Sequence, residues 1–260
     1  MSVSLTQEPD RPHVAHLRID ANELNLLSLE LAHDVREAIE STPDAVSVLT
    51  VAAPQPDDGV RGLTAGLDLE WAQDLTPHEG QDLLAAFYDT IQAIRDLEAV
   101  TVCGCGTYTL GAGFELAMAC EFRVATDNAT LGLPEVNVGL PTVIHGGLLL
   151  RLVGEGIANE LIYRGDPIDG ARASELGIVT DSVAVDEYAD AVDDLVSDLA
   201  AKSPRVMTLQ KRVMNRFRSN GLESGMAASI GDIGRAFGSH DQREAMAAFL
   251  DDREPAFEDP

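Results

Sequence analysis

Lysine is almost missing from this chain: Lys202 and Lys211 are the only two among 260 residues, and the 18 basic residues face 44 acidic ones, a formal net charge of -26. Such a field repels nucleic acid and anionic lipid at ordinary salt, so neither is expected as a partner. An acidic, lysine-poor composition fits a salt-rich cytoplasm, where self-repulsion is screened over about 3 Å at 1 M salt. The expected source is therefore a halophile, with stability rising as KCl is added. Cysteine is scarce as well. Cys103, Cys105 and Cys120 are odd in number and form no CxxC pair, and no His-rich segment accompanies them, so no metal site is expected and the thiols read as reduced core residues. No apolar run approaches the roughly 18 to 20 residues of a membrane span, and no basic segment leads into an apolar stretch at the N-terminus. A soluble, cytoplasmic protein is expected, with no membrane partner. No long polar or Pro/Gly-rich linker divides the chain, and 45% apolar content suffices for one large core.

The elements that are present alternate. Residues 13–20 have strand spacing, and 28–41 carry Leu31, Val35 and Ile39 at helical spacing. The valine-rich run 45–53 fits a strand buried on both faces and ends in the turn-rich loop Pro54-Gln55-Pro56-Asp57-Asp58-Gly59. Asp68 is placed to cap a helix over 69–75. Leu84, Phe87, Ile91 and Ile94 predict a helix over 81–97, followed by a strand over 100–105. Beyond Gly113 come a short helix to Cys120 and strands at 122–125 and 130–133, parted by an Asp127-Asn128 turn. Helices are predicted over 147–153, 157–163 and 170–176, with a strand at 178–183. Four more helices follow, over 186–201, 204–219, 222–237 and 241–251.

Chemistry concentrates between Leu110 and Pro141. The glycine-rich turn Leu110-Gly111-Ala112-Gly113-Phe114-Glu115-Leu116 opens a helix, whose first N–H groups have no partner within the helix and favour negative charge. Downstream, Gly132-Leu133-Pro134-Glu135-Val136-Asn137-Val138-Gly139 supplies a second carboxylate among apolar neighbours. Two such acids plus free N–H donors can move protons beside a stabilised oxyanion.

Four segments, in order, resemble the crotonase family, the enoyl-CoA hydratase/isomerase superfamily. Leu63-Thr64-Ala65-Gly66-Leu67-Asp68-Leu69 is similar to its Phe-small-Ala-Gly-Ala-Asp-Leu turn, and residues 110–116 to its Leu-Gly-Gly-Gly-x-Glu-Leu turn. Residues 131–135 are similar to its Phe-Gly-x-Pro-Glu strand end, and 237–241 with 244–250 to its closing helix. The resemblance implies an α/β spiral of ββα turns over residues 1–195, with a C-terminal helical region, 196–260, that assembles homotrimers or hexamers. It implies an acyl-CoA thioester substrate, no separate cofactor, and a thioester oxygen held by the backbone N–H groups of Leu67 and Ala112. Ala65, Asp68, Leu69 and Leu26 are placed beside the substrate. Glu115 is assigned to the attacking water and Glu135 to the proton at the α carbon, a division that can be reversed or shared. The implied activity is hydration of a 2-enoyl-CoA. The alternatives are a double-bond isomerase or another enolate-forming member, and, in a different class, a noncatalytic acyl-CoA binding protein.

The pattern is not matched everywhere. Ala112 replaces a glycine, the stretch 106–110 is one residue longer, and Val143, Ile144 and His145 stand where small residues are common. The N-terminal stretch 20–27 has no basic residue for the coenzyme A nucleotide. His145 reads as structural rather than catalytic, and Arg61 as an ion-pair partner.

Overall fold

The chain opens with an antiparallel pair that the sequence pattern did not announce: Ser2–Gln7 (β1) lies on Val14–Asp20 (β2), with Gln7 opposite Ala15. Val48–Ala52 (β3), Val100–Leu110 (β4), Phe122–Gly132 (β5) and Asp181–Val183 (β6) then join in parallel, so sheet order equals chain order. Parallel neighbours need crossovers, and helices supply them: Leu29–Glu40 (α1) after β2, Leu69–Ala72 (α2) and Pro77–Asp96 (α3) after β3, Ala112–Ala119 (α4) after β4. The computed structural model describes residues 2–56, 59–219 and 221–258. Asp57 and Asp58, in the loop expected at 54–59, lie outside the described residues, as do the chain ends beyond them.

Segments following β2 and β3, and the far ends of β4 and β5, make further bridges outside the main pairing. Leu27 bridges Leu67, Thr64 bridges Thr109, and Leu131 bridges Ile168. This strand, bridge and helix unit is the repeating turn of the expected spiral. It brings the chain segments around residues 65–67 and 110–112 to one end of the sheet.

All five residues of β3 are buried because the sheet is covered on both faces. On one side, Leu31, Val35 and Ile39 of α1, Phe87, Ile91 and Ile94 of α3 and Phe114 of α4 join one large cluster. On the other, Val14, Val48 and Val102 meet Val196 of a later helix, Tyr188–Ala200 (α7). Between them come Leu148–Arg164 (α5) and Gly170–Glu175 (α6). Gly154 takes a non-helical conformation inside α5, which explains why two helices were expected there. The C-terminal helices are Pro204–Ser219 (α8), Leu222–Ala236 (α9) and His240–Leu250 (α10).

Four expectations change. β4 runs to Leu110 instead of stopping at Cys105, because its far end pairs with β5. The Asp127-Asn128 turn is absorbed into β5: pairing jumps from Gly106–Ala125 to Tyr108–Thr130, leaving both polar residues extended and exposed. The strand expected at 178–183 and the helix at 69–75 are both shorter, Asp181–Val183 and Leu69–Ala72. The three cysteines are free and buried, with the sulfurs of Cys103 and Cys105 3.9 Å apart on one face of β4. Among the described residues no helix is long and apolar enough to cross a membrane.

Candidate active site

The first donor turn is built on a buried asparagine. Asn25, itself in a left-handed conformation, donates from Nδ2 to the carbonyls of Ile19 (2.8 Å) and Leu63 (3.0 Å). Its Oδ1 accepts from Ala21 N (2.9 Å) and from Arg61, which also pairs with Asp20 at 2.7 Å. Arg61 is thus consumed in holding the turn. Thr64 donates its hydroxyl to the Asn25 carbonyl (2.6 Å) and accepts from Gly66 N (3.0 Å). Leu27 then bonds to both sides of Leu67, its N–H to Gly66 O and its carbonyl from Asp68 N. That pairing turns the Leu67 N–H the other way, and Leu67 lines a cavity there.

The second donor turn meets it. Gly111 adopts φ 59°, a conformation that costs other residues, and Ala112 follows as the first residue of α4 with an ordinary helical backbone. The missing family glycine therefore costs nothing: the left-handed position is Gly111. Among the described residues, no acceptor engages the N–H of Leu67 or of Ala112. The two turns touch at Gly113, where a Cβ would fall 1.9 Å from the Thr64 methyl. Gly113→Ala is therefore expected to push the donors apart and lower turnover at least tenfold, and Thr64→Ser, which removes the methyl and keeps the hydroxyl, to restore most of it. Steady-state rates of the single and double variants check this; an unaffected Gly113→Ala would refute the close contact.

Glu115 and Glu135 open onto the same cavity, about 160 Å3 in volume and walled by Leu69, Leu84, Phe87, Val138, Val143 and Ile144 among others. Glu115 is 2% exposed. Its Oε1 accepts from Gly146 N at 2.9 Å, while Oε2 is buried with no hydrogen-bond partner among the described residues. Burial, then the neighbouring charge of Glu135, push its pKa up to about 8, against the backbone N–H groups of His145 and Gly146. Burial raises Glu135 too, although the Thr142 hydroxyl donates to its Oε2 at 3.0 Å. Burial thus disfavours the ionised form of both acids, and the Glu135 charge adds to the rise at Glu115, so the two are not favoured to ionise together.

The loop that carries Thr142 and Gly146 is under strain: Ile144, a β-branched residue, has φ 42°. A Cβ on Gly146 would lie 2.3 Å from Thr142 Cγ2 and 3.0 Å from Glu115 Oε1. His145 is not in the cavity lining and lies against Tyr88 and Gln92 of α3. It is buried, stacks on Tyr88 with ring centroids 5.1 Å apart, and is pushed down to about 4 by burial and then by the Arg95 charge. It is a neutral packing residue.

Of the residues singled out in the sequence, the structure brings Ala65, Leu67, Leu69, Ala112, Glu115 and Glu135 together around the cavity. Asp68 and Leu26 are not in its lining. Asp68 caps α2, accepting from Trp71 N at 3.2 Å, and Leu26 donates its backbone N–H to Asn22. Sequence reasoning missed Thr142 and Gly146. The Gly146-Gly147 doublet was the one available signal, and nothing marked Thr142.

The raised Glu115 has a consequence for stability. Its folded pKa lies above that of the unfolded chain, so its contribution is complete below about 4.5 and is lost as pH rises toward 8. His145 acts in the opposite sense, its contribution being lost as pH falls from 6.5 toward 4. The difference between wild type and Glu115→Gln isolates the first: the variant is expected to gain stability relative to wild type steadily between pH 5 and 8. Urea denaturation across that range measures it, and a pH-independent difference would contradict the buried, proton-holding state.

Comparison with known proteins gives a consistent picture. The family model described as enoyl-CoA hydratase/isomerase matches residues 11–260. The crotonyl-CoA hydratase of Syntrophomonas wolfei is 29% identical, over 90% of each chain. The 2,3-dehydroadipyl-CoA hydratase of Escherichia coli is 30% identical, over 90% of this chain and 88% of its own. In fold, the chain superposes on the crystal structure of an enoyl-CoA hydratase from Bacillus anthracis with a TM-score of 0.89 over all of both chains, at 24% identity.

Proposed function

The chain belongs to the enoyl-CoA hydratase/isomerase family, and from that premise we propose that it adds water across the 2,3 double bond of a 2-enoyl-CoA thioester. The observation that carries this reading is the convergence of two carboxyls raised by burial and two free N–H donors on one apolar cavity. The thioester oxygen accepts from Leu67 and Ala112 N–H, and each such donor is worth about 3 kcal/mol to a developing enolate. The ionised carboxyl takes a proton from water as its oxygen bonds to the β carbon. The double-bond electrons move onto the thioester oxygen, and the protonated carboxyl then delivers its proton to the α carbon. Water is added and the pair again holds one proton. Assigning the water to Glu115 requires the proton to sit on Glu135 when the ester is bound, whereas burial in the ligand-free site favours Glu115. A water held by both acids lets the proton pass between them. None of these steps needs an electron carrier.

The test is to incubate the protein with crotonyl-CoA and longer 2-enoyl-CoAs and follow loss of the conjugated thioester absorbance, with Glu135→Gln in parallel. Loss in wild type and not in the variant supports hydration. Binding without turnover supports the noncatalytic alternative, and a shifted double bond without water uptake supports an isomerase.

We also infer that the chain works as a homotrimer or a pair of trimers built through residues 196–260. Leu222, Met226, Ile230 and Ile233 lie along one face of α9 and are exposed, as are Phe249 and Leu250 of α10, at 86% and 81%. A face of that size calls for cover. Ile230→Glu with Ile233→Glu is expected to reduce the mass measured by light scattering to that of one chain; an unchanged mass would rule this face out.

A further inference from the structure

Four arginines line one cavity of about 200 Å3 where the C-terminal end of α4 meets α3, α5 and α8: Arg95, Arg123, Arg151 and Arg218. In a chain with 44 acidic and 18 basic residues, guanidinium groups are expected to be taken by carboxylates. Many elsewhere are: Arg36, Arg61, Arg164, Arg172, Arg212 and Arg253 all hold one. Around this cavity the balance is reversed. Arg123 is spent on backbone, donating to the carbonyls of Ile178 and Cys120. Arg218 donates to Glu121 Oε1 at 3.0 Å, and the other oxygen of that carboxylate belongs to Lys211. Arg95 and Arg151 have no carboxylate within salt-bridge distance among the described residues. Burial, then the like charges of Arg218 and Arg151, pull Arg95 down. Arg95, half-buried, and Arg151, exposed, thus stand with Arg218 around a cavity whose lining holds one carboxylate, Glu121, already shared by Arg218 and Lys211; like charges so placed are costly, and a bound anion offsets the cost. Several guanidinium forks around one small space fit a tetrahedral oxyanion, which accepts paired N–H bonds from more than one side.

We propose that the cavity bounded by Arg95, Arg151 and Arg218 is a binding site for a small oxyanion of the phosphate type, separate from the carboxylate-lined cavity. None of its residues belongs to the lining around Glu115 and Glu135.

Calorimetric titration with inorganic phosphate, at ionic strength held constant with KCl and without any CoA ester, tests the site independently of the proposed hydration. Wild type is expected to show saturable binding of one phosphate per chain. Arg151→Ala and Arg95→Gln are each expected to weaken it at least tenfold. Arg164→Ala, whose pairing with Asp166 lies elsewhere, should leave it unchanged. AMP in a parallel titration identifies the source: binding of phosphate alone assigns a free ion, and AMP binding equally well assigns a nucleotide-borne phosphoryl group. Arg151 is exposed, so its variant keeps the fold, as circular dichroism can verify. No saturable heat in wild type would overturn the proposal, as would equal affinity in the Arg95 and Arg151 variants. So would a wild type that takes up no phosphate while Arg151→Glu changes the assembled mass, which would mark the cavity as a contact between copies.

Discussion

Glu135→Gln and Glu115→Gln are each expected to slow hydration of crotonyl-CoA by about two to four orders of magnitude, the usual worth of a positioned acid or base. The loss belongs in kcat, since neither change removes the Leu67 and Ala112 donors or the apolar walls that bind the ester. Because one proton serves both acids, the double variant should be little worse than the slower single one. Two independent contributions would instead multiply. Glutamine is the informative replacement: it keeps the volume, and at Glu115 it can still accept from Gly146 N, so the loop 140–147 stays seated. At Glu115 it also removes a buried titratable group, and the variant is expected to be the more stable protein near pH 8. Loss of activity together with gain of stability is a result that general damage to the fold cannot produce. Stopped absorbance assays with matched denaturation curves read both, and near-normal turnover in either variant would remove that residue from the mechanism.

How far the sequence foretold this site depends on the range of the interactions. Periodicity announced α1, α3 and the parallel strands because Leu31, Val35 and Ile39, or Leu84, Phe87, Ile91 and Ile94, repeat on local geometry. The Asp68 cap was legible for the same reason: it bonds three residues away. β1 was not, since Val3 and Leu5 are short of a pattern and become a strand only once β2 lies beside them. The Asp127-Asn128 pair has turn chemistry, yet it stays extended within β5 because the residues on either side of it pair with β4 across the register shift. At the site, Glu115 and Glu135 stood out because their flanking turns are similar to a known family's. Thr142 and Gly146 acquire meaning only by contact with those carboxylates, through a loop held in a strained shape at Ile144. No local spacing encodes that.

The lysine that this chain does retain inside should be among its most sensitive residues: Lys211→Met is expected to lower stability by about 3 to 5 kcal/mol, the usual cost of breaking a buried ion pair on one side. Lys211 is 2% exposed and lies 2.5 Å from Glu121 Oε2. Glu121 also accepts from the Thr101 backbone N–H (3.1 Å) and hydroxyl (2.9 Å) at the start of β4, and from Arg218. Burial alone would raise this carboxylate; the Lys211 charge and hydrogen bond overcome it, and the net shift is downward. A depressed carboxylate stabilises the fold above its unfolded value of 4.5 and loses that contribution as the solution is acidified, so the variant's deficit should shrink toward low pH. Methionine leaves Glu121 charged and only partly matched by Arg218. Replacing both partners, Lys211→Met with Glu121→Leu, should recover much of the loss, because no unpaired charge is then buried. Salt separates this pair from surface ones: molar KCl screens exposed charges strongly and buried ones little, so it should not rescue Lys211→Met. The pair ties α8 to the sheet, and α8 packs on α9, whose apolar face is proposed to meet neighbouring subunits. The variant is therefore expected to lose assembled mass as it loses stability. A deficit below about 1 kcal/mol at pH 7, the range of exposed pairs, would show that the C-terminal helices are anchored by packing alone.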